Sequence, residues 1–276
     1  MPETSPSNDS VLSARISVRY GDKPAVLRDV ELDVRRGEVL GLIGQSGSGK
    51  STLAMAILGL LDRRRISIDG TIAFEGTDLL TLREGELRDL RGRKIALVLQ
   101  SPLSSLNPAL RIHTQLKEAW RAHATGSKED CNHAICAALE SVSLPSTDEF
   151  LRKHPSQMSI GQAQRVLIAM AVLHRPALLI ADEATSALDV ITQSEILALF
   201  RELNRNSGMS ILYISHDLAS VAGICDRITI LHEGQIVETG ATEQVLLRPQ
   251  HEYTQRLMAA MPKMPHAPAI AKAATV

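Results

Sequence analysis

One stretch limits the possible folds more than any other: Gly44, Gln45, Ser46, Gly47, Ser48, Gly49, Lys50, Ser51 and Thr52. It has the spacing G-x-x-x-x-G-K-S from Gly44 to Ser51, with the apolar run "GEVLGLIG" leading into it and "KSTLAMAILGLL", of helical composition, leading out. In a strand, glycine turn and helix of this kind, backbone N–H groups curl around phosphate oxygens at the helix N-terminus. The spacing predicts that Lys50 neutralises β and γ phosphates and that Ser51 holds a Mg²⁺ ion.

The rest of the chain alternates around that turn. "ARISVRY" and "AVLRDVELDVRRGEVLGLIG" carry short β-branched runs divided by Gly21 and Gly37, which suits a few strands of a sheet. "IALVLQ", Ile95 to Gln100, reads as a buried strand. Strand signals vanish between about Ser101 and Gln157, marking an inserted helical subdomain over 101–157. Alternation then resumes with the strand "ALLIAD" (Ala177 to Asp182), a helix from about Thr192, the strand "SILYIS" (Ser210 to Ser215), a helix after His216 and the hairpin "RITILHEGQIVETG". Such alternation argues for an α/β fold with a mostly parallel sheet covered by helices. Residues 1–10 lack the basic start and apolar stretch of a signal peptide and read as a disordered lead-in, and 263–276, rich in Pro and Ala, as a flexible tail.

A phosphate-binding turn serves several chemistries, so the second acidic position decides among them. "ALLIADE" is an apolar run ending in Asp182 and Glu183, which places two carboxylates at the end of a parallel strand where such sheets bind ligands. Asp182 suits the shell of Mg²⁺, and Glu183 suits a base that orients and deprotonates water. His216 follows another buried strand and is placed to reach the same end of the sheet. Ser159 and Gln162 in "SIGQ" have the S-x-x-Q spacing of a capping box, opening a helix that is apolar nearly all round. A capped helix start also aims N–H groups and positive dipole outward. Two phosphate-facing ends on one chain suggest two chains sharing nucleotides.

Composition removes other classes. A formal net charge of -1 gives no basic footprint for nucleic acid. The mixed-sign stretch "LREGELRDLRGRK" reads as a solvated helix face. The longest apolar run, "VLIAMAVL" from Val166, stops at His174 and Arg175, well short of the roughly 20 residues that span a bilayer. Three cysteines without an export signal suggest a reducing compartment. Cys131, His133 and Cys136 lie close in sequence, but on a helix His133 and Cys136 point about 200° and 140° away from Cys131, so they read as ordinary helix residues.

This ordered set resembles the nucleotide-binding subunit of ABC transporters, over roughly residues 12 to 262. "GQSGSGKST" is similar to the Walker A of that family, "LLIADE" to its Walker B, Gln100 to its Q-loop, "SALD" (Ser186 to Asp189) to its D-loop, and His216 to its switch histidine. The resemblance implies a P-loop, RecA-like core with an N-terminal antiparallel β-subdomain, a cassette over 11–262, and ATP and Mg²⁺ as bound groups. It implies adenine stacking by Tyr20, metal contacts from Ser51, Gln100 and Asp182, and catalysis by Glu183, His216 and Gln100. It further implies a head-to-tail pair of such subunits, in which Ser159, Gly161 and Gln162 meet the ATP of the partner's phosphate loop.

The chain departs from the family at three places. Its signature, usually L-S-G-G-Q, stands as Met158, Ser159, Ile160, Gly161, Gln162, Ala184 replaces the usual proline, and Ser101 follows Gln100 where aspartate is frequent. Ile160 either sits in a backbone that tolerates it or is forced left-handed, at about 1 to 3 kcal/mol. The first departure predicts a weakened partner site and hence a heterodimer. "SPLSSLNP" after Gln100 and "HEYTQRLMAAMP" from His251 to Pro262 resemble the dipeptide, oligopeptide and nickel importer branch. That branch implies two permease subunits, an extracytoplasmic solute-binding protein and a cytoplasmic position on the inner face of the membrane. Two alternatives stay open: a subunit that holds nucleotide with little hydrolysis, and a soluble ABC ATPase not coupled to transport.

Overall fold

The computed structural model describes residues 9–260, and their strands sort into two sheets. Residues 1–8 and 261–276, which hold most of the expected lead-in and all of the expected tail, lie outside the described residues. The first sheet is antiparallel, in the order β2-β1-β4-β5, from β1 (Ser10–Tyr20), β2 (Leu27–Arg35), β4 (Ile66–Phe74) and β5 (Thr77–Asp78). Ser10, within the expected lead-in, therefore starts a strand. Alternation in β1 buries Leu12, Ala14, Ile16 and Val18 and leaves Arg15 and Arg19 in water, as one solvated face requires.

The second sheet has the order β10-β9-β3-β8-β7-β6. Its strands are β3 (Val39–Ile43), β6 (Ile95–Val98), β7 (Leu178–Asp182), β8 (Ser210–Ser215), β9 (Arg227–His232) and β10 (Gln235–Ala241). All pairs are parallel except β9–β10, a hairpin. Every residue of β3, β7 and β8 is buried, which explains why these segments read as unbroken apolar runs. Alternate residues of one strand enter different cores. Leu212 and Ile214 pack with the first sheet and helix α1 (Lys50–Ile57), while Ile211 and Tyr213 pack with helices of the opposite face.

The segment from 84 to 157 is helical apart from β6: α2 (Glu84–Leu90), α3 (Pro102–Ser105), α4 (Ile112–Arg121), α5 (Lys128–Ser141) and α6 (Asp148–Leu151), with a 3₁₀ turn at Pro155–Gln157. Helices α7 (Ile160–Val172), α8 (Val190–Ser207), α9 (Leu218–Ile224), α10 (Thr242–Leu247) and α11 (Glu252–Ala259) complete the chain. α4 and α5 pack on α7 through Leu116, Trp120, Ile135 and Leu139, all in the larger core. Helix α8 starts two residues before Thr192, because Asp189 Oδ1 accepts from the N–H groups of Ile191 and Thr192 and so caps it. Arg227 joins the two sheets: its guanidinium lies 3.1 Å from both Asp33 of β2 and Glu38, and is largely buried.

Sequence reading passes over β4 and β5. Only Ile72 and Phe74 of β4 are buried, and Gly70 interrupts it at φ 116. A Cβ there would meet the Arg15 carbonyl oxygen at 2.0 Å, so the strand uses glycine to lie close against β1.

Candidate functional site

β3 delivers the chain into the Gly44–Thr52 turn at the C-terminal end of the parallel sheet. Gly47 and Gly49 have φ of 80° and 109°, where a side chain would be strained, and Gly44 lies where a Cβ would meet the Leu231 carbonyl oxygen at 2.3 Å. Gln45, Ser46 and Gly47 are exposed, whereas Ser48 and Gly49 are buried. Lys50 is 5% exposed, and its Nζ donates to the carbonyl oxygens of Gly44 at 2.7 Å and Gln45 at 3.0 Å. The ammonium is thus held over the turn. Burial pulls its pKa down, opposed by the charges of Glu183 and Asp182.

Parallel registry brings the acids to the same end. Asp182 ends β7 opposite Ile214 of β8, and the Glu183 N–H continues the ladder by donating to the Ile214 carbonyl at 2.9 Å. Burial pushes the Asp182 carboxyl up, a hydrogen bond from the Ser51 side chain opposes this, Glu183 adds to the rise and Lys50 lowers it. Among the described residues, Asp182 Oδ1 is buried without a hydrogen-bond partner, and so is Ser48 Oγ. Glu183 has φ 49, a left-handed conformation that costs roughly 1–2 kcal/mol in an L-residue. Ser186 holds that bend, its N–H and hydroxyl both donating to the Glu183 carbonyl, and Ala184 behind it is fully buried. The bend leaves Glu183 Oε1 3.2 Å from His216 Nδ1, two residues past Ile214.

Two other expected residues stand at or just past strand ends. Gln100 is exposed two residues beyond β6. Tyr20 ends β1 and is half-buried; Val26 N donates to the Val18 carbonyl, and the Val26 carbonyl lies 3.4 Å from where a Cβ on Gly49 would stand.

Ser159, Gly161, Gln162 and Asp189 form a second group. The Ser159 hydroxyl accepts from Gln162 N at 3.1 Å, and Gln162 Oε1 accepts from Ser159 N at 3.2 Å, a complete capping box at the start of α7. A Cβ on Gly161 would lie 2.7 Å from Thr192 Cγ2, and Thr192 Oγ donates to Asp189 Oδ2 at 2.7 Å. Thr192 therefore joins the starts of α7 and α8. Nothing local in the sequence marks it, since the contact spans 31 residues. Ile160 is the first helical residue of α7, is not among the residues with positive φ, and is 47% exposed. The left-handed alternative for it is thereby excluded.

Known proteins share this fold. The family pattern described as "ABC transporter" matches residues 27–186. The chain is 42% identical over 252 residues to the dipeptide transport ATP-binding protein DppD of Haemophilus influenzae, covering 90% of this chain and 76% of that protein. It is 41% identical to the oligopeptide transport ATP-binding protein OppD of Escherichia coli, covering 92% and 74%. Among solved structures, cbiO1 from Clostridium perfringens, part of the ABC transporter complex cbiONQ, superimposes with a TM-score of 0.76 at 27% identity, over 87% of this chain and 92% of that one. A dimeric ATP-binding cassette in a post-hydrolysis state, bound to ADP and Pi, matches with a TM-score of 0.72 at 26% identity, over 84% and 98%. With a glycine-rich turn, paired acids and a histidine at one end of a parallel sheet, and with relatives of this similarity along nine-tenths of its length, the chain belongs to the ABC transporter family as an ATP-binding, ATP-hydrolysing subunit.

Proposed function

We propose that ATP is hydrolysed at the Gly44–Thr52 turn with Glu183 as general base, and that hydrolysis drives import of peptides or a related small solute through partner permeases. The observation that carries the chemistry is the Glu183–His216 contact of 3.2 Å beside the buried Lys50. Glu183 takes a proton from the attacking water, and His216 Nδ1 keeps the carboxylate turned toward the turn. Lys50 and the N–H groups from Gln45 to Thr52 hold phosphate oxygens, and Tyr20 stacks on adenine. Mg²⁺ fits the oxygen donors present: the unpartnered Asp182 Oδ1, the Ser51 hydroxyl beside it, and Gln100. When bound, the ion neutralises charge developing on the phosphates.

The second group belongs to the neighbour's nucleotide. Ser159 Oγ accepts from Gln162 N, which leaves its hydroxyl proton free for a phosphate oxygen, and Asp189 stands at the start of α8 alongside. The partner is a second ATP-binding subunit with an intact signature, so the pair is a heterodimer. Gln100 and α3, with Leu99 and Leu103 exposed beside them, receive a cytoplasmic helix of a permease. Two permeases and an extracytoplasmic solute-binding protein complete the system on the inner face of the cell membrane. Among the described residues no helix is long and apolar enough to cross a membrane. The names of the curated relatives support peptide as the cargo.

In the assembled transporter, Glu183→Gln should keep ATP binding while hydrolysis falls roughly 10²–10⁴-fold and uptake of a labelled dipeptide stops. Hydrolysis at the unmodified rate would show that Glu183 is not the base. Normal coupling with no dipeptide uptake would remove peptide as the cargo.

A further inference from the structure

The turn between β9 and β10, nearly two hundred residues from the phosphate-binding turn, is in direct contact with it. Gly234 N donates to the Ser48 carbonyl at 3.1 Å. Glu233 and Gly234 have φ of 45° and 76°, the left-handed pair of a tight hairpin turn. From the other side, Arg28 N donates to the Gly234 carbonyl and Arg28 Nη2 to the Glu233 carbonyl, both at 2.7 Å. A Cβ on Gly234 would lie 2.1 Å from the Val26 carbonyl oxygen. The turn is therefore wedged between the start of β2 and the phosphate-binding turn.

Behind it, the His232 ring stacks on Tyr253 of α11, with centroids 3.6 Å apart and planes 15° from parallel. Glu238 of β10 fixes the approach to that helix by accepting from the N–H groups of Gln250 at 2.8 Å and His251 at 3.0 Å. Tyr253 is buried, and its hydroxyl is buried without a hydrogen-bond partner among the described residues. The ring, not the hydroxyl, makes the contact.

We propose that Tyr253, His232, Arg28 and the Glu233–Gly234 turn are positioning residues for ATP. The Ser48–Gly49 peptide is planar and trans, so its C=O and N–H point in opposite directions. Anchoring the Ser48 carbonyl on Gly234 N turns the Gly49 N–H away from the hairpin, toward the phosphates. The C-terminal helix thereby takes part in aiming a phosphate donor. This rests on reading Gly44–Thr52 as the phosphate loop.

The test is equilibrium binding of MgATP to the full chain, with thermal unfolding of each variant recorded alongside. Tyr253→Leu and Arg28→Ala are expected to weaken ATP by roughly three- to tenfold, the worth of one hydrogen bond. Tyr253→Phe, which keeps the ring, should restore the affinity of the unmodified chain. Adenosine, which carries no phosphate, should bind all of them equally well. Arg28 is on the surface, so Arg28→Ala keeps the test open if Tyr253→Leu fails to fold. Unchanged ATP affinity in folded Arg28→Ala would overturn the proposal. So would equal losses in Tyr253→Phe and Tyr253→Leu, or a fall in adenosine binding in step with ATP. Lys50→Met serves as the control: if it keeps full ATP affinity, the phosphate-loop reading itself is wrong, whereas loss there with no response to Arg28→Ala sinks the brace alone.

Discussion

Helices α1 and α7 both present an N-terminus at the edge of the fold, yet the two ends are built in opposite ways. α1 begins at Lys50 after a left-handed Gly49 that supplies no side-chain cap, in a turn shaped by glycines. Its donors are left for something else to satisfy, and the buried ammonium and the unpartnered Ser48 Oγ and Asp182 Oδ1 stand beside them. α7 begins with Ser159 and Gln162 satisfying each other. The first end has no side-chain cap, and the second caps itself. On the proposed function, the helix end that takes its own phosphate dispenses with a cap, while the one proposed to meet a neighbour's nucleotide keeps its own.

The widest gap between the two ends should appear with Lys50→Met, which keeps the buried stem and removes the charge. ATP affinity of the chain is expected to fall roughly a hundredfold, as when one partner of a desolvated charge pair is lost. Ser159→Ala should leave that affinity unchanged. Titration of both variants with MgATP checks this, and comparable losses would erase the distinction between the ends.

Asp182 sharpens the same contrast through pH. Burial raises its carboxyl above the ordinary carboxylate range, so the folded chain holds that proton more tightly than the unfolded chain. The sign follows: its contribution to stability is present below the unfolded value and is lost as pH rises through the raised folded value. Asp182→Asn should therefore stabilise the ligand-free chain at neutral pH and remove that decline. With MgATP present the order should reverse, because the variant lacks the carboxylate proposed to hold the ion. Thermal unfolding at several pH values, with and without MgATP, reads both effects.

At α7, Ser159→Ala should cost about 1 kcal/mol of stability through the lost cap. Ser159→Asp should keep the cap but place a negative charge where the neighbour's phosphate is proposed to arrive. A thermal midpoint near that of the unmodified chain, with hydrolysis lost in the assembled dimer, is the expected outcome. Normal hydrolysis by Ser159→Asp would mean that this end meets no nucleotide.

Much of this architecture was legible because it is local. The glycines and lysine from Gly44 to Lys50, the apolar strands ending at Asp182 and Ser215, and the Ser159–Gln162 box are each set by neighbours in sequence. What was not legible depends on registry. The Glu183–His216 contact follows from Asp182 pairing with Ile214, and the wedge of Gly234 against Ser48 follows from β9 lying beside β3. Glu183 in a left-handed conformation has no signal of its own, since a strand-ending acid ordinarily continues extended. β4 escaped notice because a half-solvated strand with a central glycine lacks the unbroken apolar run that marked the others.

The smallest expected effect concerns Ile160, which replaces a glycine in the family's signature. Its backbone is helical, so glycine would relieve no strain there, and the side chain is about half exposed with no core contact to lose. Ile160→Gly should thus slightly destabilise the isolated chain, by roughly half a kcal/mol, from helix propensity alone. Gly161 next to it is different: a Cβ there would run into Thr192 Cγ2 at 2.7 Å, so that glycine keeps α7 against α8 and Ile160 does not. Any effect of Ile160 on hydrolysis then arises outside this chain, at the neighbour's nucleotide that the α7 end is proposed to meet. The expected result is higher turnover in the proposed heterodimer on Ile160→Gly, abolished when the partner's phosphate-loop lysine is removed and retained when Lys50 is removed. Turnover that ignores Ile160→Gly would show that the α7 end accepts a β-branched residue as readily as glycine, and that its capping box, not its slimness, is what the neighbour's site requires.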